Sequence, residues 1–398
     1  MGLLRILLAA CVFFGHSRPL GHLRWLSSNE AVELFFVVSG FYMQLILSTR
    51  YTKEKLGGTW ACQFYKARYF RLLPTYLLGV LLVVGLAFHQ PSVDPSSIWT
   101  YVRGLPDTLG NVLFKAFLCF TNMTILFQDV TMFLAAHHGQ IQWSAHFQNS
   151  DVLLWKGLAV FQGWSLGIEL SFYLLAPYLL NLPSRWLILG AICSLVAKAI
   201  ALGAFNLGDP WTYRFFPFEL GSFLLGALAF RYRSALDHLL PKRMERYCAY
   251  PLAIAIAAMR VPVPLAHVMY PLALACVLPY LFRMTSGRKA DQLIGELSYP
   301  FYIFHVFALR LARSVYHHHW IPWSYDSVVW MGLGMTLVLS AIALVFEVRL
   351  IEPWRVRFAE PKHRPAMSTE VATSAPPSTR GQAPAELPGR WSTNLRVR

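Results

Sequence analysis

The chain has 398 residues, of which 56% are hydrophobic and only 14% are charged. Soluble domains carry about 25% charged residues, so this composition excludes an ordinary globular enzyme, a disordered protein and a soluble nucleic-acid-binding domain. The formal net charge of +15 would suggest nucleic acid in a soluble protein, but in a membrane protein Lys and Arg mark cytoplasmic loops. The six cysteines show no CxxC spacing, which indicates neither a metal site nor a disulfide framework. We therefore predict an integral membrane protein.

Ten apolar stretches are long enough, or nearly long enough, to cross a bilayer as helices. This pattern predicts an all-α fold, a polytopic membrane bundle of about ten transmembrane helices. The stretches are residues 3–17, 31–48, 72–88, 164–181, 186–205, 215–230, 247–259, 265–282, 297–316 and 328–348. Several are shorter than the roughly 20 residues of a perpendicular span, so the prediction requires local thinning of the bilayer or tilted neighbours.

The distribution of Lys and Arg predicts the orientation of the bundle. The loops after the second, sixth and eighth stretches are rich in Lys and Arg. Because such loops lie in the cytoplasm, this distribution predicts that both termini are cytoplasmic. The alternation of loops that are rich and poor in Lys and Arg holds only if a further apolar stretch, 112–127, does not add a single crossing. That stretch is then interfacial, re-entrant or half of a hairpin. No small-x-small cleavage site follows the first stretch, so we interpret it as a span rather than a signal peptide. We predict a transmembrane domain over 1–357 and a disordered cytoplasmic tail over 358–398, which is rich in Pro, Ser and Ala.

Arg5 and His16 form the first candidate pair, because an ionisable group inside a bilayer costs about 2.5–3.5 kcal/mol and is a candidate for function. They are eleven residues apart, which places them on one face of a helix, about 16 Å from each other along its axis. A neutral imidazole beyond the membrane midplane can act as a general base near pH 7. The alternative is a core histidine that is hydrogen-bonded to a neighbouring helix.

Glu33 and the pair Arg68 and Arg71 are the next candidates. Glu33 opens the segment ELFFVVSGF, in which Ser39-Gly40 offers a small surface for close helix packing. Its carboxylate either orients a nearby base or faces water. Arg68 and Arg71 share a helix face, and paired guanidinium groups hold phosphate well. They suit a phosphorylated cytosolic ligand such as coenzyme A, and the alternative is contact with lipid headgroups.

Two polar stripes cross otherwise apolar helices. The helix that follows Trp164 carries Ser165, Glu169 and Tyr173 at i, i+4 and i+8, and a later span carries Ser298, Tyr302 and His305 at i, i+4 and i+7. Such stripes either line a functional pocket or form structural hydrogen bonds. Glu219 is a further intramembrane carboxylate, so it is also a functional candidate.

Together these motifs resemble the membrane acyltransferase 3 family, whose members O-acylate surface polysaccharides, lipopolysaccharide, Nod factors and some antibiotics. The resemblance rests on the spacing Arg5-x10-His16, the segment ELFFVVSGF, Arg68-x-x-Arg71 with the following Pro74-x-Tyr76, the pattern WSLxxExxFY from Trp164, and SYxxYxxH from Ser298 to His305. The ending Leu350-Ile351-Glu352-Pro353 is also similar, although Lys is absent. The motifs occur in the expected order between residues 1 and about 357. The chain looks closest to the short exopolysaccharide acetyltransferases, whereas the segment 89–163 has no place on the family frame.

The resemblance implies an enzyme of the bacterial inner (plasma) membrane that transfers an acyl group, expected to be acetyl, from cytoplasmic acyl-CoA to a hydroxyl of a cell-surface or exported carbohydrate. It implies that His16 is the general base or an acyl relay, that Arg5, Glu33 and Glu169 set its pKa or orientation or line the pocket, and that Arg68 and Arg71 bind the phosphates of the donor. Trp164, Ser165, Tyr173, Tyr302 and His305 are the expected substrate-pocket residues. Acyl-CoA is then a co-substrate, and no metal is expected, because the thioester is already activated. No permanently bound cofactor and no nucleic-acid partner are expected either.

Two other classes of function fit some of the residues. A transporter of a lipid-linked sugar or acyl donor also contains intramembrane Arg, Glu and His, but the halves of the chain show no internal repeat of the kind that many transporters have. A haem protein with His16 and His305 as axial ligands would need both histidines on facing helices at one depth. The order and number of the motifs favour the acyltransferase.

Overall fold

The computed structural model describes residues 1–17, 26–89, 96–236, 266–317 and 325–354. Its longer helices are α1 (Gly2–His16), α2 (Ser28–Thr49), α3 (Trp60–His89), α4 (Ser96–Arg103), α5 (Leu109–Thr124), α6 (Trp164–Leu179), α7 (Ser184–Gly203), α8 (Phe216–Arg231), α9 (Ala266–Thr285), α10 (Lys289–His317) and α11 (Tyr325–Phe346). Single-turn helices cover Lys53–Leu56 and Arg233–Leu236, and a π-helix, Glu347–Ile351, extends α11. Short 3-10 helices cover Gly57–Thr59, Gln128–Phe133, Phe147–Asn149, Leu154–Gly157 and Phe161–Gly163.

Within the described residues, five helices are long and apolar enough to cross a membrane, namely Ser28–Thr49, Lys53–Ala87, Ser184–Gly203, Ala266–Thr285 and Asp326–Trp354. The prediction of an all-α membrane protein is therefore confirmed, and the chain is a multi-pass membrane protein. Each predicted span coincides with a helix over most of its length, except 247–259, which lies outside the described residues. The predicted tail, 358–398, also lies outside them. The number of ten spans and the cytoplasmic position of the termini remain predictions.

Helix α2 lies at the centre of the bundle and begins at a capping box. The Ser27 backbone N–H donates to Glu30 Oε2 at 2.9 Å, and the Glu30 N–H donates to Ser27 Oγ at 3.3 Å, which satisfies backbone donors that the first helical turn leaves unpaired. Gly40 of α2 faces α8 so closely that a Cβ at this position would lie 1.9 Å from the Phe223 carbonyl oxygen. The small surface predicted at Ser39-Gly40 is therefore where two helix backbones meet.

The described part of the segment that the family frame does not place, residues 96–163, forms a cap between α3 and α6. It contains α4, α5 and an antiparallel hairpin of β1 (Leu134–His137) and β2 (Gln140–Trp143), in which Leu134 lies opposite Trp143. A small apolar core holds it together, including Phe114 and Leu118 from α5 and Leu154 and Leu158 from the chain that returns toward α6. The cap therefore packs as a unit next to the start of α6.

Helix α5 coincides with the apolar stretch 112–127. Its buried face is partly polar and includes Asn111, Thr121 and Asn122, whereas Leu113, Phe120 and Met123 on its other face are exposed. Asn122 accepts a hydrogen bond from the Ala159 N–H at 2.7 Å and donates to the Leu118 and Gly157 carbonyls. The polar side of α5 thus fixes the cap, and its apolar side is exposed.

Candidate active site

A cavity of about 200 Å³ opens between α1, α2, α3, α6 and α10 at the end of the bundle that contains Met1, here called the Met1 end. Its charged lining residues are Arg5, Arg68, Arg71, Glu169, Asp291 and Glu296. Apolar side chains of α2, among them Val32 and Phe35, form one wall. The structure therefore brings the predicted donor arginines, Arg68 and Arg71, to the same cavity as Arg5 and Glu169.

Asp291 holds the start of α1 against α10. It accepts hydrogen bonds from the Met1 amino group at 2.5 Å, from the Gly2 N–H at 2.7 Å and from the Leu3 N–H at 3.0 Å. Asp291 precedes the predicted span 297–316. Burial alone would raise the pKa of this carboxyl, but the bonds from Gly2, Met1 and Leu3 outweigh it and lower the pKa below its usual value. An ionised Asp291 thereby fixes the helix that carries Arg5 and His16.

Glu169 is the best-bonded carboxylate in the wall of the cavity. Ser39 Oγ donates a hydrogen bond to Glu169 Oε1 at 2.7 Å, and the Tyr173 hydroxyl donates to the same oxygen. Arg5 lies within electrostatic range of Glu169 and Tyr173. The polar stripe predicted on α6, which consists of Ser165, Glu169 and Tyr173, therefore lines the cavity.

Ser165 and Tyr302 close the cavity toward the other end of the bundle. Their hydroxyl oxygens are 2.7 Å apart, and the Tyr302 hydroxyl also donates to the Gln162 carbonyl oxygen at 2.9 Å. Gln162 Nε2 donates in turn to the Ile303 carbonyl oxygen at 2.6 Å. This wall joins α10 to the chain just before α6.

His16 lies beyond this wall, at the end of α1, and is not among the residues that line the cavity. Its ring centroid is 5.1 Å from that of His305, and the His305 ring is 5.7 Å from the Tyr302 ring. His16 Nδ1 is 2.9 Å from the Val12 carbonyl oxygen, and His305 Nδ1 is 2.6 Å from the Tyr302 carbonyl oxygen. In each ring the Nδ1 therefore donates to a backbone carbonyl, which leaves the Nε2 as the acceptor. The direct contact of the two rings leaves no space for a haem between them.

Glu33 is placed away from both the cavity and His16. It lies on the opposite side of α2, where Lys198 Nζ is 2.8 Å from Glu33 Oε1 and 2.7 Å from Glu219 Oε1. His267 Nδ1 is 2.7 Å from the same Glu33 oxygen. The four side chains, here called the Lys198 cluster, tie together α2, α7, α8 and α9 and are almost inaccessible to solvent.

The sequence patterns described above do not predict Lys198 or His267 as part of a site. Lys198 is the single charged residue in the apolar stretch 186–205, and an isolated intramembrane charge predicts a buried partner of opposite sign. That signal, combined with Glu33 and Glu219, would have indicated the cluster.

Trp164 and Asp129 lie outside the cavity lining. The Trp164 ring packs against Tyr213 at 5.5 Å between ring centroids and beneath the Arg214 guanidinium at 4.4 Å. Asp129, in the cap, is buried against Gly167 of α6, where a Cβ would lie 2.8 Å from Asp129 Oδ1. Burial raises the pKa of Asp129 to about 7. The glycine in the WSLGIE segment is therefore required by the close approach of the cap.

Comparison with protein families agrees with this geometry. A family model described as an acyltransferase domain matches residues 1–347. The chain belongs to the acyltransferase 3 family. The resemblance found in the sequence is confirmed, and it makes the chain a membrane acyltransferase, whereas closeness to the exopolysaccharide branch remains a prediction. No match was found among curated proteins or among solved structures.

Proposed function

We propose that this acyltransferase moves an acyl group, in the simplest case acetyl, from cytoplasmic acyl-CoA to a hydroxyl of a cell-surface or exported carbohydrate. The enzyme would lie in the inner (plasma) membrane with its Met1 end toward the cytoplasm. The observation that carries the proposal is the order of groups along the bundle. The arginine-lined cavity comes first, the wall of Ser165 and Tyr302 second, and the contact between His16 and His305 third.

The cavity supplies the donor side. Arg5, Arg68 and Arg71 converge there from two helices, and guanidinium groups bind phosphate through parallel N–H···O bonds. Of the three lining carboxylates, Asp291 is occupied by the N-terminal amine and backbone, and Glu169 is held by Ser39 and Tyr173. We infer that the arginines hold the phosphates of coenzyme A, with the thioester directed toward Tyr302.

His16 supplies the base. The acceptor hydroxyl oxygen attacks the thioester carbonyl carbon, and the hydroxyl proton passes to the imidazole. The new C–O bond forms, the C–S bond breaks, and the thiolate of coenzyme A takes up a proton. In the relay version His16 attacks the thioester first and the hydroxyl then attacks the acyl-histidine, with the same overall balance. Positioned general-base catalysis contributes about 10²–10⁴-fold to the rate, and orientation of the two substrates contributes more.

The wall imposes a condition on this mechanism. Because Tyr302 separates the cavity from His305 and His16, the acyl group must pass beside the Tyr302 ring before it meets the base. The gap to be crossed is short, since the Tyr302, His305 and His16 rings follow one another at 5.7 and 5.1 Å. A small acyl group meets this condition more readily than a long chain, which supports acetyl as the simplest donor group.

Binding of coenzyme A tests the donor side. Purified protein in nanodiscs should bind labelled acetyl-CoA, and Arg68→Gln/Arg71→Gln should weaken this binding by at least about tenfold, because each lost charge-assisted hydrogen bond is worth roughly 1.5–3 kcal/mol. Lys66→Gln is the matched control, since Lys66 is exposed on the same helix and is not among the residues that line the cavity. Wild-type protein that is folded but does not bind acetyl-CoA would contradict the proposed donor.

A further inference from the structure

The surroundings of His16 at the far end of the bundle, here called the His16 end, are cationic. Arg214 and Arg313 lie within electrostatic range of its ring. Arg313 Nη2 donates to the His16 carbonyl oxygen at 2.9 Å. Arg310, one helical turn before Arg313, lies 5.6 Å from the ring centroid of Phe161, and that ring is 6.0 Å from His16. Arg214 and Arg313 therefore lie near the base that the proposed function assigns, and Arg310 lies against the Phe161 ring next to it.

Arg214 is held rigidly in this position. Its Nε donates to Asp209 Oδ1 at 2.7 Å, its Nη2 donates to the Tyr213 hydroxyl at 2.9 Å, and its guanidinium stacks on Trp164. These are the bonds that the described residues give it, and they use two of the five N–H donors of a guanidinium. The remaining donors are oriented in advance, so binding a ligand with them costs little side-chain entropy.

Aromatic faces and a free ring nitrogen complete this region. Trp155 packs edge-on against Phe161 with 5.3 Å between ring centroids, and Trp164 packs against Tyr213. His305 is fully buried, and among the described residues its Nε2 has no hydrogen-bond partner. Aromatic rings offer flat apolar surface beside polar groups, which is the chemistry that a sugar ring requires.

We propose that the acceptor is an anionic carbohydrate, which bears a carboxylate or phosphate close to the hydroxyl that is acylated. Arg214 and Arg313 bind the anionic group, and the sugar ring lies against the aromatic side chains near Phe161 while its hydroxyl faces His16. The inference rests on the proposed function, since it assumes that the acceptor enters at the His16 end. Arg214 keeps Asp209 as its partner within the chain and Arg313 keeps the His16 carbonyl oxygen, and an anionic group of the acceptor would bind to the N–H donors that these bonds leave unused.

Matched acceptor pairs test the inference. The first pair is a glucuronate-terminated disaccharide and its methyl ester, and the second is glucose 6-phosphate and glucose. Transfer of labelled acetyl from acetyl-CoA should have a kcat/KM about 10–100-fold higher for the anionic member of at least one pair, the range expected for a charge-assisted hydrogen bond. Preference within the first pair identifies a carboxylate as the recognised group, and preference within the second identifies a phosphate.

Variants separate recognition from a structural role. Arg214→Lys, which keeps the charge but not the fork, and Arg313→Gln should lower kcat/KM more for the anionic acceptor than for the neutral one, and should leave acetyl-CoA binding unchanged. Arg103→Gln, an exposed cation of the cap, is the control and should change neither. Equal use of charged and neutral acceptors by wild type, or equal losses with both in the Arg variants, would overturn the inference. Absence of acetyl-CoA binding would instead overturn the proposed function itself.

Discussion

Lys198→Met should strongly destabilise the protein, because it leaves two buried carboxylates without their shared cation. Lys198 Nζ is 2.8 Å from Glu33 Oε1 and 2.7 Å from Glu219 Oε1. The distance between the two carboxylate oxygens is therefore at most about 5.5 Å. At that separation two negative charges repel by about 3 kcal/mol for an effective dielectric constant of about 20. Removing one partner of a buried ion pair costs about 3–5 kcal/mol in general, which agrees with this estimate.

The loss should depend on pH in a defined direction. His267, which is cationic only when protonated, is the remaining partner of Glu33, and protonation of either carboxylate removes the repulsion. The destabilisation of Lys198→Met should therefore be larger at pH 8 than at pH 5.5. Thermal unfolding in one detergent, followed by tryptophan fluorescence at both pH values, measures it. Arg185→Gln is the matched control, because Arg185 is an exposed cation at the start of the same helix and such changes stay within about 0.5 kcal/mol.

The triple variant Lys198→Met/Glu33→Gln/Glu219→Gln decides whether charge is the cause. It removes the charges of the pairs together, and neutral replacement of buried ion pairs is often tolerated, so it should recover most of the stability lost by the single variant. A single variant as stable as wild type at pH 8, or a triple variant no better than the single one, would refute the reasoning.

Two further predictions concern the cap and the wall. Because burial raises the pKa of Asp129 from 3.8 to about 7, the native state holds this proton more tightly, and stability should fall as pH rises from about 4 to 7. Asp129→Asn should flatten that dependence and be up to about 4 kcal/mol more stable than wild type at pH 8; an unchanged pH profile in unfolding experiments would contradict this. Tyr302→Ala should raise the kcat/KM of butyryl-CoA relative to acetyl-CoA, whereas Tyr302→Phe, which keeps the ring, should leave the ratio unchanged; equal ratios in both variants would show that Tyr302 does not limit acyl size.

The helices were predictable because long apolar stretches in a membrane protein have few alternatives to the helix. The stretches 31–48 and 215–230, for example, coincide with α2 and α8, and Gly40 explains their close contact. The cap was not predictable. Its short strands and 3-10 turns depend on individual hydrogen bonds, such as those of Asn122, and on positive φ angles at Ile125 and Phe127 that those residue types rarely adopt.

The site was predictable in part, because helical periodicity places residues on a face but does not say which helix that face meets. The spacing of Ser165, Glu169 and Tyr173 places them on one helix face, and in the structure they line one cavity. Arg5 and His16 share a helix, yet the Ser165–Tyr302 wall, which no local pattern reveals, separates the cavity of Arg5 from His16. Helix α2 is buried over most of its surface, so its polar residues contact different neighbouring helices. Ser39 contacts Glu169 beside the cavity, whereas Glu33 contacts Lys198 in the Lys198 cluster.

The most direct test of the central claim is transfer of labelled acetyl from acetyl-CoA by wild type and His16→Ala in the same nanodiscs, with His146→Ala, an exposed histidine of the cap, as control. We expect His16→Ala to retain acetyl-CoA binding and lose transfer by at least about 10²-fold, while His146→Ala matches wild type. Transfer by His16→Ala at the wild-type rate would contradict the account.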